Sequence, residues 1–373
     1  MTFRTWVRAT LIASGLATAG LAQEPAQAAP APSAPPAWSA GPIDFSGLVD
    51  GYYSLNTNHP ASRTNVIRNF DVRANSFSLN MAKLTMEHTA DPVGFRADIG
   101  FGRVTDIFHA TEPLKGGADI MRHLLQAYVT VKPEKAGGFQ FDFGKFYTSA
   151  GAELTETHLN FNYSRALLYA NGPYYHFGAR MTKPVTKYWT AGVQVLNGWN
   201  NVEDNNSGKT FGFTSALTGK KVALFNNYFV GPEKTQGVKG NRHFFDTVVT
   251  LNPTDKASFY INLDIGKDKN YKAASSDFWG IGFAGRYQVN DWFALSPRYE
   301  YYDDQDGLIT GSQKHIQEFT MTAEMKMKKG FLSRLEYRRD WSNQPFFDKG
   351  NDLASAKIQD TFLVGFVVYF GPK

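Results

Sequence analysis

From Ile43 to the C-terminus, apolar residues recur at every second position. Phe319, Met321, Ala323, Met325 and Met327 alternate with Glu318, Thr320, Thr322, Glu324 and Lys326. Phe259, Ile261, Leu263 and Ile265 alternate with Ser258, Tyr260, Asn262 and Asp264, and Phe362, Val364, Phe366, Val368 and Phe370 close the chain in the same phase. A period of two places successive side chains on opposite faces of a strand, so each segment has one apolar and one polar face. No amphipathic helix of useful length competes with this pattern.

The connections between these segments also alternate. Tight ones fall at 91–94, 133–138, 184–187, 218–220, 252–256, 290–291 and 328–330. Long polar ones fall at 56–73, 106–122, 148–172, 198–208, 231–241, 267–276, 303–314 and 341–356. Seven short turns and eight long loops join sixteen strands. An even strand number with short turns at one end and long loops at the other describes an outer-membrane barrel.

A soluble sandwich would alternate too, so the decision rests on what the apolar faces meet. Sixteen strands would need several packed sheets, whereas one closed barrel removes every exposed edge and turns its apolar face to lipid. Aromatic residues fall at both strand ends. Tyr188, Trp189, Trp292, Tyr369 and Phe370 flank the short turns, and Tyr53, Tyr147, Trp199, Phe229, Trp279 and Tyr301 lie toward the long loops. Two aromatic levels fit two membrane interfaces. Composition agrees: 30 Phe, 18 Tyr and 7 Trp exclude a disordered chain, and the absence of cysteine excludes disulfide scaffolds and thiolate metal sites. The net charge of +5 is too small, and too scattered, to point to nucleic acid.

The N-terminus reads as an export segment. Arg4 and Arg8 precede the apolar run Ala9–Leu16, and the small residues Gly20 and Ala22 place cleavage before Gln23, so residues 1–22 are expected to be a signal peptide. The Ala- and Pro-rich stretch 23–42 is expected to be an extended periplasmic linker, with the barrel over 43–370.

With these elements placed, the chain resembles the OmpL-like putative beta-barrel porin family of Gram-negative outer membranes. The likeness is carried by Gly144-Lys145-Phe146 with Gly151-Ala152-Glu153, by Asn162-Tyr163-Ser164-Arg165, and by Pro173-Tyr174-Tyr175-His176-Phe177-Gly178-Ala179-Arg180. It implies a passive channel for small hydrophilic solutes, embedded among outer-membrane lipid and lipopolysaccharide, and a homotrimer. It brings no cofactor, metal or settled substrate. The chain departs from a common barrel ending in that Gly371-Pro372-Lys373 follow Phe370.

The polar faces would line the pore. Arg298 and Glu300 fall on one strand, Glu318 and Glu324 on the next, and Arg334, Glu336 and Arg338 on the one after, with Arg180, Arg286, Arg96, Asp98, Asp246 and Asp264 elsewhere. The expectation is a hydrated, mildly cationic wall. Loop 148–172 is third in order on its side, and by analogy with the resemblance it folds inward. It carries Glu153, Glu156, His158 and Arg165. Glu153 and Glu156 are expected to face Arg298, Arg334 and Arg338 across a constriction whose transverse field orients dipolar solutes.

Patterns that look like chemistry are weak. Gly280, Gly282 and Gly285 fit G-x-G-x-x-G, but no helix follows, so space within a strand explains them better than a nucleotide. Asp303, Asp304 and Asp306 before Gly307 fail the register of a calcium loop. The eight histidines have no metal spacing. The runner-up readings are a closed-lumen structural or adhesive barrel and an outer-membrane hydrolase, for which His315 with Ser296 or Ser333 would be the place to look. An enzyme is not expected.

Overall fold

The computed structural model describes residues 39–371 apart from 111, 113–117, 235–238, 272–273 and 328–329. The signal segment 1–22 and most of the linker 23–42 lie outside the described residues. Sixteen antiparallel strands follow one another: β1 (Ile43–Asn56), β2 (Ser76–His88), β3 (Val93–Phe101), β4 (Leu124–Val131), β5 (Gln140–Tyr147), β6 (Tyr175–Pro184), β7 (Trp189–Leu196), β8 (Thr210–Thr218), β9 (Val222–Gly231), β10 (Arg242–Thr254), β11 (Ala257–Tyr271), β12 (Ala274–Gln288), β13 (Phe293–Asp304), β14 (Lys314–Met327), β15 (Phe331–Ser342) and β16 (Ile358–Phe370). Each pairs with its sequence neighbours, and β16 pairs back onto β1, with Phe370 opposite Gly47, so the sheet closes on itself. Ser39–Ala40 folds back on the start of β1, with Ala40 opposite Ile43.

The alternation sorts as a closed barrel requires. On β14, Phe319 and Met321 point outward and exposed while Glu318, Thr320, Thr322 and Glu324 are buried inside. Among the described residues no helix is long and apolar enough to cross a membrane, and a barrel crosses with its strands. The glycines of β12 are explained by space. A Cβ on Gly280 would lie 2.7 Å from the Tyr302 ring and 3.2 Å from Leu168, and one on Gly285 would lie 2.9 Å from Phe259.

Two sequence expectations change, and one strand reverses its phase. On β2, Phe77 and Leu79 face outward, yet Lys83 points in and Leu84 points out. A bulge opposite Asp50 and Gly51 inserts one residue and reverses the phase within the strand. The polar stretch 267–276 is not a long loop, because β11 runs to Tyr271 and β12 starts at Ala274. Cross-strand ion pairs extend these strands: Lys267 to Asp277 at 3.0 Å, and Arg242 to Asp268 at 2.8 Å. Finally, the aromatic levels are only partly lipid-facing. Tyr188, Trp189, Trp292 and Phe370 are exposed, and Trp279 packs beside Tyr301 at 5.2 Å, but Phe229 is 1% exposed and points in. Tyr147, Trp199 and Tyr369 join it in inward apolar clusters.

That inward turn has a cause. Phe229, Phe244, Phe278 and Tyr302 form a ribbon of rings around the inside of the long-loop end, with centroids 5.8 to 6.5 Å apart. Leu167, Leu168, Leu308 and Phe347 from the loops cover it. The loops therefore pack on an apolar floor inside the barrel mouth, with a short hairpin (Phe347–Lys349 with Asp352–Ala356) in the last of them.

Candidate functional site

Residues 148–174 connect β5 to β6 as the third long loop, L3. Its shape comes from its own side chains. Asn160 Oδ1 accepts the Leu154 N–H at 2.7 Å, and its Nδ2 donates to the carbonyls of Leu154 and Glu156. Arg165 donates to the carbonyls of Leu154 and Thr155 at 3.0 and 2.7 Å and to Thr157 Oγ1 at 3.0 Å, and lies over the Phe70 ring at 5.0 Å. Arg165 is thus an internal brace of the loop, 1% exposed, and not a residue facing open water. A short helix, α2 (Leu167–Asn171), ends the loop. Its first turn lacks capping partners of its own, and Glu300 supplies one by accepting the N–H groups of Leu167 and Leu168.

The wall meets this loop with charge. Arg298 donates to Glu153 at 2.7 Å, to Glu318 at 2.9 Å and to the Ser164 carbonyl at 2.7 Å. Arg334 pairs with Glu324 at 2.6 Å and donates to the carbonyls of Thr157 and Asn162. Arg338 pairs with Asp340 at 2.8 Å and with Glu318 at 3.3 Å, and donates to the Arg165 carbonyl at 2.6 Å. Glu336 accepts the N–H groups of Tyr163 and Ser164 at 2.6 and 3.0 Å. The side chains of these arginines are at most 1% exposed. Such a network holds because every charge has partners, since an unpaired buried ion would be costly.

Glu153 meets Arg298 in direct contact, without an open gap between them. Glu156 does not oppose the arginines. It reaches β2, where it pairs with Lys83, itself 3.1 Å from Asp98. Burial raises the Glu156 carboxyl and Lys83 lowers it, with a net displacement below the ordinary glutamate value. Beside it, Tyr163 and Thr157 donate to Asp50, and the Tyr163 ring covers Gly365, where a Cβ would lie 2.3 Å away. On a third side, Asp246 accepts the Gly151 N–H and Asn262 the Ala152 N–H, each at 3.0 Å. L3 therefore lies across the lumen, bonded to β1, β2, β10, β11, β13 and β15.

Nor does the wall show the expected excess of arginine. Arg298, Arg334 and Arg338 stand among Glu300, Glu318, Glu324, Glu336 and Asp340, all buried. Toward the short-turn end the balance of reachable groups differs. Arg96, Arg180 and Arg286 have side chains 26, 16 and 12% exposed, whereas their partners Asp98, Asp142 and Glu324 are 0, 3 and 5% exposed. Glu87, also paired with Arg96, is the more exposed exception. Lys83 and Asp50 were missed by sequence reasoning as site residues. The bulge in β2 hid the inward phase of Lys83, and Asp50 could have been found from its place between the inward Leu48 and Tyr52.

The long-loop end carries a half-buried acid as well. Glu233 accepts the Trp199 N–H at 2.8 Å and the Thr210 hydroxyl at 2.6 Å, clasping the loop that starts after β9 to the one that follows β7. Burial pushes its carboxyl up to about 7. The other chemical patterns dissolve. Asp304 accepts the N–H groups of Ile309 and Thr310, closing a turn. His315 stacks on the outward Tyr301 at 5.8 Å while Ser296 is fully buried inside, so register and facing separate them. Among the described residues no group of three metal-binding side chains converges.

Comparison with known proteins is consistent in kind. The pattern defining the family described as "Putative beta-barrel porin-2, OmpL-like" matches residues 42–370. No curated protein matches the chain. Among solved structures, the chain is similar to an anion-selective porin from Comamonas acidovorans, with TM-score 0.60 and 10% identity over 88% of this chain and 99% of that one. It is similar to the outer-membrane OmpT of Vibrio cholerae, with TM-score 0.57 and 12% identity over 88% and 97%. It is also similar to the outer-membrane channel DcaP of Acinetobacter baumannii, with TM-score 0.57 and 10% identity over 88% and 97%. At these identities the likeness is one of fold.

Proposed function

We propose that this chain, which belongs to the Putative beta-barrel porin-2, OmpL-like family, is an outer-membrane porin whose third loop narrows the lumen to the passage of ions and small hydrophilic solutes. The observation that carries this reading is the docking of L3 across the lumen on a fully paired charged wall. Solutes would pass the short-turn vestibule, where Arg96, Arg180 and Arg286 are reachable cations. These arginines support a mildly cationic wall toward the short-turn end. Transport would be diffusive, and no residue is assigned a catalytic role.

The strand lengths support the homotrimer. β4, β5 and β7 have eight residues each, against fifteen in β11 and β12. A tilted strand needs about 9–11 residues to cross a bilayer. The short wall suits contact with other copies of the chain better than contact with lipid. Export through a cleaved signal peptide, residence in the outer membrane and contact with lipopolysaccharide complete the reading.

The test is ion selectivity under a salt gradient. Glu153→Gln with Glu156→Gln should move the reversal potential toward anions, by removing negative charge from the loop that borders the path. An unchanged potential would take these residues out of the conduction path. A second reading, a closed structural barrel, is favoured by the near-zero exposure of Arg298, Arg334 and Arg338. It predicts no conductance at all.

A further inference from the structure

The barrel wall carries a notch at its outer rim. β2 pairs with β1 along its length from Ser76, but β3 reaches only to Phe101, opposite Ala82. Residues 76–81 of β2 therefore lack a β3 partner, and an open sheet edge in lipid is costly. Among the described residues, loop 57–75 and α1 (Arg103–Phe108), which follows β3, flank that edge. They leave a groove of about 610 Å³ between them.

Its lining is mixed in a specific way. Arg63, Arg73 and Arg103 line it with Asp106, and Phe77 and Leu79 of β2 line it as well. Phe77 is 85% exposed, and Leu79 and Phe101 are also exposed and lipid-facing. Beyond Phe77 the chain turns polar through Ser76, Asn75 and Arg73, so the groove sits where the apolar band ends. Arg103 shares an ion pair of 2.9 Å with Asp106. Among the described residues, Arg63 and Arg73 have no carboxylate partner. Three guanidinium groups and one carboxylate leave an excess of positive charge beside the apolar Phe77 and Leu79.

We propose that this groove holds the phosphorylated headgroup of an outer-leaflet glycolipid. The guanidinium forks of Arg63, Arg73 and Arg103 match phosphate oxygens in paired hydrogen bonds, and the acyl chains lie along Phe77 and Leu79. The assignment concerns the outer wall and does not depend on whether the lumen conducts.

The full-length chain, purified in mild detergent, would be titrated with bis-phosphorylated lipid A and followed by native mass spectrometry. Parallel titrations would use its dephosphorylated form, phosphatidylglycerol and inorganic phosphate. The variant Arg63→Gln with Arg73→Gln should retain lipid A about thirtyfold less well than the wild type, since each basic group at an anionic surface is worth roughly a factor of five. The charge-matched variant Lys132→Gln with Lys135→Gln, at the opposite end, should retain it as the wild type does. Equal retention by the Arg63/Arg73 variant, or equally tight binding of dephosphorylated lipid A or phosphatidylglycerol, would overturn the proposal. So would inorganic phosphate binding at these arginines without competition from lipid A, which would assign a soluble anion instead.

Discussion

Arg180 and Arg286 differ from the arginines of the L3 anchor in one respect that matters for conduction: water reaches them. Arg180 also lies over the Phe146 ring at 4.3 Å, which fixes its fork at the vestibule surface. Replacing both by Gln should move the reversal potential toward cations, whereas an unchanged potential would show that these groups lie off the path. Glu233 gives a pH-dependent outcome at the same scale. Its folded value of about 7 lies above the ordinary 4.5, so the fold favours the neutral carboxyl. The associated stability is present below about pH 4.5 and is lost as pH rises through 7, to a total on the order of 3 kcal/mol. Hydrogen exchange at the Trp199 amide should therefore accelerate across that window, and Glu233→Gln should flatten the profile. Acceleration on acidification instead would contradict the assignment.

At the scale of elements, L3 and the strand it rests on act together. Gly365 matters because the Tyr163 ring occupies the space of its side chain. Gly365→Ala should displace that ring, weaken the Tyr163–Asp50 bond and raise single-channel conductance as the loop lifts. Conductance equal to the wild type would mean that L3 does not set the bore. Removing Glu153 alone should cost less than the roughly 3–5 kcal/mol typical of stripping a buried ion of its partner, because Glu318 remains 2.9 Å from Arg298. Much of this scale was legible in the sequence. Alternation located nearly every strand, and the order of the loops singled out L3. What escaped was set by tertiary contact. The β2 bulge depends on pairing with Asp50 and Gly51, and the reach of Glu156 to Lys83 depends on where the loop crosses. Cross-strand ion pairs turned the polar stretch 267–276 into strand, because polarity alone does not separate a solvated loop from a charged ladder.

For the whole molecule, the same pattern that fixes an apolar outside fixes a polar inside, and the pairing of β16 with β1 closes the sheet. The charge of the interior was less legible than its polarity. Counting arginines along the strands could not tell which would be neutralised under L3 and which would meet water. If copies associate through the short wall, chemical cross-linking in intact membranes should yield a discrete trimer, and only monomer on cross-linking would argue that this wall faces lipid. The central claim is that the barrel conducts past L3, and reconstitution of the purified full-length chain into planar bilayers tests it most directly. The account predicts small stepwise openings of uniform size for the wild type and larger ones for Gly365→Ala. Silent bilayers for both proteins would contradict it.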